Sequence, residues 1–392
     1  MKKIVFTEEY CQPANLFPFT LTRQVQDIRV GILTIRQKWE LYLDMLSFDK
    51  FEDDYKDLER SIRIDKEIGK DIIYLIHGNV LPTRKLVRHI LKLKPGECIS
   101  VKGVENLAYC ISTREILDEH RIKVGKVVDV DEDVIEIKYP WDILKHNKWA
   151  IDQDLQLLHG KVETQKLPGS NKLIRGDKVF VEKGASIEYC LLNAEEGPIY
   201  IGQNAKVMEG SMIRGPVAIC NNSFVKMGSR IYGSTTIGPG SVVGGEIKNS
   251  VFFGFSNKAH DGYIGDSVVG EWCNFGAGTS NSNIKNNASQ IVVWTPHGAI
   301  DVGTKCGVFV GDYSRTAINT SLNTGTVVGA CANVFGNGLS PKYIASFSWG
   351  SDGVERYQFE KAVEDINNWK QLKGQEITEA EKTILKYVYD HY

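Results

Sequence analysis

The sequence predicts three consecutive parts: an α/β domain, a parallel β-helix built from hexapeptide repeats, and a pair of C-terminal α-helices. Three observations predict this. Glycine is sparse over the first 160 or so residues and dense from Gly176 to Gly353. A six-residue period runs unbroken through eight hexads from Ile201, the last beginning at Val243. Helical spacing returns after Gly353, with Tyr357, Ala362, Val363 and Ile366, then Ile384, Leu385 and Val388. A chain of 392 residues suits two or three domains, and 42% hydrophobic with 24% charged residues is the composition of a globular protein.

In the first part, Lys2-Lys3-Ile4-Val5-Phe6 and Asp71-Ile72-Ile73-Tyr74-Leu75-Ile76 read as buried strands. Ile32 to Leu46 and Thr83 to Leu93 carry helical patterns. Alternation of this kind predicts a mostly parallel sheet with helices against it. Leu167-Pro168-Gly169-Ser170-Asn171 is turn chemistry and marks a linker. The divisions are therefore 1–165, 166–350 and 351–392.

The middle part is the most strongly constrained, because a repeat limits a fold more than propensity does. Read in sixes, the first position is Ile201, Val207, Ile213, Ile219, Val225, Ile231, Ile237 and Val243. The fifth is Ala205, Ser211, Val217, Ser223, Ser229, Thr235, Ser241 and Ile247. A branched aliphatic stacking inward and a small residue at each corner are what a triangular parallel coil requires. The period slips near Asn249, resumes at Val269 and Phe275, slips again from Asn281 to about Gly307, and returns with Val310, Thr316, Leu322, Val328 and Val334.

Charge and cysteine usage exclude several classes. Forty-seven Lys plus Arg against 49 Asp plus Glu leave a net charge of −2, so neither nucleic acid nor an anionic membrane is the expected partner. No run approaches a membrane span, and Met1-Lys2-Lys3 is followed by too short an apolar stretch for a signal peptide, which predicts a cytoplasmic protein. The eight cysteines form no CxxC pair and read as reduced core residues.

Chemistry is expected where residues leave the repeat. The first slip contains Lys258-Ala259-His260-Asp261-Gly262-Tyr263-Ile264-Gly265-Asp266, and the second begins Asn274-Phe275-Gly276-Ala277-Gly278-Thr279-Ser280-Asn281-Ser282-Asn283. A histidine off the inward register and beside an acid suits general-base work, against the alternative of a surface histidine in a turn. Arg230 and Lys248 fall at the sixth position of their hexads, where a long side chain is ordinarily solvated, and Asn274, Asn281 and Asn283 could equally cap coil corners.

Glu246-Ile247-Lys248, Lys258-Ala259-His260, Tyr263-Ile264-Gly265-Asp266 and Asn274-Phe275-Gly276-Ala277-Gly278-Thr279 together resemble the acetyltransferase half of the bifunctional GlmU family, with mutual spacing kept from Arg230 to Asn283. The resemblance implies a left-handed parallel β-helix that trimerises, with acetyl-CoA as donor and a hexosamine 1-phosphate as acceptor. It implies His260 as catalytic base, Arg230 and Lys248 as phosphate-binding cations, and Tyr263 and Asn274 as sugar-binding residues. Asn283 matches an asparagine supplied by the adjoining subunit, and Ala277 and Ala330 match positions whose backbone meets the acetyl-CoA arm. Two departures stand out: one residue is missing between the lysine-alanine pair and the histidine, displacing Lys258, and the cation expected in the 281–307 excursion has no clear counterpart. His297, in that excursion, is a second polar candidate, and two histidines are too few for a three-histidine zinc site.

The N-terminal part resembles a divergent, Rossmann-like sugar nucleotidyltransferase domain through Leu16-Phe17-Pro18-Phe19-Thr20-Leu21-Thr22-Arg23 and Arg29-Val30-Gly31-Ile32-Leu33-Thr34-Ile35-Arg36-Gln37-Lys38-Trp39-Glu40. Yet Thr7-Glu8-Glu9-Tyr10-Cys11-Gln12-Pro13-Ala14-Asn15, where a phosphate-wrapping loop is expected, has no glycine, and side chains crowd such a loop. By the resemblance Arg23 replaces the signature lysine, Asn79 stands where the Mg²⁺-binding carboxylate is expected, and Asp142 aligns with the second metal position. Asp142 reads equally well as a helix cap. Three functions stay open: an acetyltransferase coupled to uridyl transfer from a nucleoside triphosphate with Mg²⁺, an acetyltransferase with a degenerate first domain, and a non-catalytic sugar-nucleotide-binding protein.

Overall fold

The computed structural model describes residues 2–8, 11–48, 71–102, 104–112, 125–353 and 355–392. Glu9 and Tyr10 of the glycine-free loop lie outside the described residues. By packing, the chain forms two compact units, one of residues 1–13, 24–28 and 33–138, the other of 14–23, 29–32 and 139–392.

Among the described residues, the main sheet of the first unit has six strands: β1 (Lys2–Thr7), β2 (Ser47–Phe48), β3 (Ile72–His77), β4 (Glu97–Val101), β5 (Val104–Ser112) and β6 (Lys126–Val130), in the spatial order β2-β1-β3-β5-β4-β6. β1 pairs in parallel with β2 and β3, and β4 with β6, whereas β5 runs antiparallel to both β3 and β4. The sheet is therefore mixed. The tight connection from β4 to β5 forces the reversal, since a parallel pair needs a long crossover. Helix α1 (Ile35–Leu43) is shorter than its periodicity suggested because Thr34 and Gln37 close a capping box and Asp44 turns left-handed at φ 52°. Trp39 is fully buried and donates its indole N–H to the Val80 carbonyl at 2.8 Å. Thr83 caps α2 (Arg84–Ile90) by accepting from the Leu86 N–H.

The second unit is a parallel β-solenoid of about ten turns between residues 172 and 349. Its strands stack into three faces: nine parallel strands on the first, nine on the second, to which Glu355–Arg356 adds an antiparallel tenth, and six on the third, the last continued by the pair Ser280–Asn281 and Ser321–Leu322. On the first face an inward ladder runs without a gap through Val181, Ile201, Ile219, Ile237, Phe252, Val269, Val310, Val328 and Ile344. Every rung is at most 2% exposed, and burying such side chains stabilises a fold by about 1.5–3 kcal/mol each. The ladder explains both slips. Ile237 and Phe252 are adjacent rungs in a coil 15 residues long where Ile219 to Ile237 takes 18, and the steps Val243 to Ile247 and Ile247 to Phe252 are both short, so the first slip is a pair of shortened corners. The second is an excursion, carrying an antiparallel hairpin of Val292–Thr295 and Gly298–Asp301, whose Trp294 stacks on Tyr343 at 3.8 Å.

Helix α3 (Pro140–Leu158) belongs to this unit, held to the first face by Asn147, whose amide donates to the Ser234 carbonyl at 2.7 Å and accepts from the Gly31 N–H at 2.7 Å. The two terminal helices are α4 (Phe359–Gln371) and α5 (Glu379–His391). Their apolar faces close over Trp272, Tyr313, Ala330, Cys331, Phe347 and Tyr357. All eight cysteines are buried.

Candidate active site on the third face

Three neighbouring strands of the third face, Arg230–Tyr232, Glu246–Lys248 and Tyr263–Gly265, bury Ile231, Ile247 and Ile264 and turn their other residues outward. The register makes two outward columns, Arg230-Glu246-Tyr263 and Tyr232-Lys248-Gly265. Period-two alternation thus brings residues from distant parts of the sequence onto one surface.

Glu246 is gripped from one side: Arg230 Nε lies 3.3 Å from its Oε2, and the Tyr232 hydroxyl donates to its Oε1 at 2.7 Å. That bond, with burial behind it, pushes the Tyr232 phenol up to about 12. Tyr263 lies across Gly265, where a Cβ would stand 2.1 Å from the phenol oxygen, so glycine is what lets the ring lie flat there. Asn283 donates to that oxygen at 3.0 Å and to Asp266 Oδ2 at 2.5 Å, while Asn249 donates to Asp266 Oδ1 at 2.6 Å. The 283 amide therefore serves Tyr263 and Asp266 of its own chain. Burial, chiefly, and then the Asp266 charge hold the Tyr263 phenol above its ordinary value.

Lys305, at the end of the excursion, was not legible as a site residue from the sequence. Its amine lies 3.9 Å from Asp266 Oδ2 and faces Lys248. Burial and then the Lys305 charge hold the Lys248 amine below its ordinary value. Two ammonium groups crowded this way repel each other and are relieved by an anion between them.

His260 is exposed, at the corner that leads from the second face into Tyr263–Gly265. Gly262 gives the corner its shape at φ 124°, where a Cβ would meet the Thr279 carbonyl oxygen at 2.2 Å. The corner stacks on the next coil through Gly278, whose N–H donates to the Asp261 carbonyl at 2.9 Å. Ala277, partly exposed, thus follows His260 along one edge, its carbonyl accepting from the Asn319 N–H at 2.7 Å. Asn274 is on the second face, in register between Asn257 and Arg315. Ala330 is fully buried, its N–H donating to Ser346 Oγ at 3.2 Å and its carbonyl accepting from Phe347 at 2.9 Å, so its backbone has little left for a ligand. His297 is exposed in the hairpin turn.

Lys258 does not extend outward. It takes the inward place opposite Val243, and Asn257 stands in the outward position before it. The shortened corners upstream account for this shift, since Lys258 follows Phe252 at the ordinary six-residue step.

The three residues of the nucleotidyltransferase-like site are each engaged locally. Arg23, half-buried in the solenoid unit with its side chain 9% exposed, is paired with Asp312 and lies 3.5 Å from Glu271, with Phe253 4.9 Å from its guanidinium. Burial opposes its charge, but the two carboxylates outweigh it and raise the pKa above the ordinary value. Asn79, in the first unit, is 4% exposed, accepting from the Cys11 thiol at 3.1 Å and donating to Glu136 at 3.3 Å. Asp142 accepts from the Tyr139 N–H at 2.9 Å in the capping box of α3. Among the described residues no cluster of three or more His, Cys, Asp or Glu could hold a metal ion. An amide already committed to a thiol and a carboxylate does not fit Mg²⁺, which prefers anionic oxygen. Nor, among the described residues, is any helix long and apolar enough to cross a membrane.

The family described as sugar nucleotidyl transferase matches residues 4–162. A bifunctional sugar-1-phosphate nucleotidylyltransferase/acetyltransferase of Sulfurisphaera tokodaii is 31% identical over 240 residues, 60% of this chain and 52% of that one. The bifunctional protein GlmU of Methanocaldococcus jannaschii is 29% identical over 256 residues, 63% of this chain and 53% of the relative. The chain spans about half the length of these curated relatives. The polySia-specific acetyltransferase NeuO, a solved structure, matches 46% of this chain and 77% of its own at 13% identity, with a TM-score of 0.21. The chain, whose residues 4–162 match the sugar nucleotidyl transferase family ahead of a parallel β-solenoid, is thus similar to the GlmU-like bifunctional transferases and divergent from them.

Proposed function

We propose that the solenoid unit transfers acetyl from acetyl-CoA to the amine of a hexosamine 1-phosphate, with His260 as general base, and that it works as a homotrimer. The observation that carries this reading is the continuous polar surface from Arg230 through Glu246, Lys248 and Tyr263 to Asn283, which adjoins the His260 corner. Arg230, Lys248 and Lys305 against Glu246 and Asp266 are three cations to two carboxylates, an excess of one positive charge suited to a phosphate. Charge-assisted bonds to phosphate contribute roughly 1.5–3 kcal/mol each.

Acetyl-CoA, as co-substrate, supplies the thioester. As the amine attacks the thioester carbonyl a C–N bond forms, the C–S bond breaks and CoA leaves as a thiolate; the exposed imidazole accepts the amine's proton, an effect of about 10²–10⁴-fold, and can return it to the thiolate. Tyr263, kept protonated by burial and the Asp266 charge and oriented by Asn283, offers a hydroxyl to the sugar. The Ala277 edge, one coil beyond His260, is the part of the backbone available to the acyl donor. Asn274, on the adjacent second face, is retained as a sugar contact.

For the first domain we propose the nucleotidyltransferase architecture without nucleotidyl transfer. Arg23 and Asn79 are already paired with groups of their own chain, and Asp142 caps a helix. Incubation with acetyl-CoA, glucosamine 1-phosphate, UTP and Mg²⁺ tests both parts. The expected outcome is N-acetylated sugar phosphate by mass spectrometry with no pyrophosphate above background. Stoichiometric pyrophosphate would reinstate the bifunctional reading, and the absence of acetylated product would end the acetyltransferase one.

A further inference from the structure

We propose that Lys258 is a positioning residue that pins the His260 corner to the coil beneath it, an inference that rests on the acyl-transfer reading. Lys258 continues the inward column of Val207, Val225 and Val243, and it is 2% exposed. A primary amine in an aliphatic stack is costly unless its hydrogens find acceptors. The side chain turns back to the corner and donates to the carbonyl oxygens of Gly244 at 3.1 Å and His260 at 2.6 Å.

Those carbonyls belong to successive coils at one corner. A Cβ on Gly245 would stand 2.9 Å from the His260 carbonyl oxygen, so the two corners are already in close contact, and the amine ties them from within. The element that carries the imidazole is thereby tied to the rigid body of the solenoid. Burial lowers the Lys258 pKa to about 8, with Asp261 acting in the opposite sense. Both the ammonium and the neutral amine carry two hydrogens for these carbonyls, so the tie does not depend on protonation.

The solenoid has no need of a lysine here for its own sake. Methionine fills the same stem volume and matches the aliphatic column, so Lys258→Met leaves the packing intact and releases the His260 carbonyl. The test compares the full-length parent and Lys258→Met by amide hydrogen exchange and by steady-state kinetics with acetyl-CoA and glucosamine 1-phosphate. The Gly278 N–H, which donates to the Asp261 carbonyl, and the Glu246 N–H, which donates to the Gly262 carbonyl, report on the corner.

Expected are exchange at these two amides at least about tenfold faster and kcat lower by about tenfold or more, since catalysis is sensitive to misplacement on the order of 1 Å. Both KM values stay within about twofold and the thermal midpoint does not fall. Unchanged exchange, or unchanged kcat in a folded variant, overturns the proposal. A parent that releases no thiol refutes the acyl-transfer reading instead, and the exchange measurement still judges the tie. Lys258→Ile serves as the second variant. If neither folds, the lysine belongs to core stability and the inference is lost.

Discussion

Replacing Arg23 by methionine tests whether that residue is structural or nucleotide-binding. Its side chain is 9% exposed and that of Asp312 is 4% exposed, so the pair sits almost wholly outside solvent. Methionine keeps the stem and deletes the charge. Asp312 would retain the Glu271 N–H at 2.7 Å and the Thr22 hydroxyl, but no cation. Removing one partner of a buried ion pair costs about 3–5 kcal/mol, and the two surviving donors argue for the lower end, about 3 kcal/mol or roughly 160-fold in the folded to unfolded ratio. Neutralising both partners, as Arg23→Met with Asp312→Asn, leaves no orphaned charge and is expected to recover about half of that loss. The assay is urea denaturation of the full chain by circular dichroism, with UTP binding followed by calorimetry. A loss below about 1 kcal/mol, or a double variant no more stable than the single one, would refute the reasoning. A selective loss of UTP binding would return Arg23 to a nucleotide site.

Lys248→Met and Lys305→Met should each raise KM for the sugar phosphate about tenfold or more with little change in KM for acetyl-CoA, as read from initial rates. Gly265→Ala puts a methyl where the Tyr263 hydroxyl lies, so acceptor KM should rise while the circular dichroism spectrum is unchanged. His77, buried on β3, has its pKa lowered by burial to about 4. Its neutral form is present in both states above pH 6.5, so that contribution to stability is intact there. As pH falls from about 6.5 to about 4 the unfolded chain gains a proton the folded chain refuses, removing about 3 kcal/mol, with no further loss below. Denaturation of the parent and His77→Gln across that range should show a steeper slope in the parent, the slope left in the variant coming from groups such as His146, which burial also lowers.

The repeat was readable because one coil is a local statement: Ile219 and Ile237 lie 18 residues apart and occupy adjacent rungs. Arg230, Glu246, Lys248 and Tyr263 share a face for the same reason. What the sequence did not disclose is non-local. Lys305 meets Lys248 only because a hairpin excursion folds back, and Asp312 meets Arg23 across 289 positions. Ala330 matches by spacing, but helices α4 and α5 cover it, and no feature of its own repeat announces that. The direction of β5 depends on a connection that strand propensity does not encode. Lys258 was visible as a departure in spacing, but only the paired register shows that the shortened corners upstream turn it inward.

The most direct measurement is the rate of free thiol release from acetyl-CoA with glucosamine 1-phosphate, compared between the parent and His260→Ala. The account predicts release that depends on the sugar phosphate and falls about 10²–10⁴-fold in the variant. No acceptor-dependent release by the parent, or equal rates in the two proteins, would contradict it.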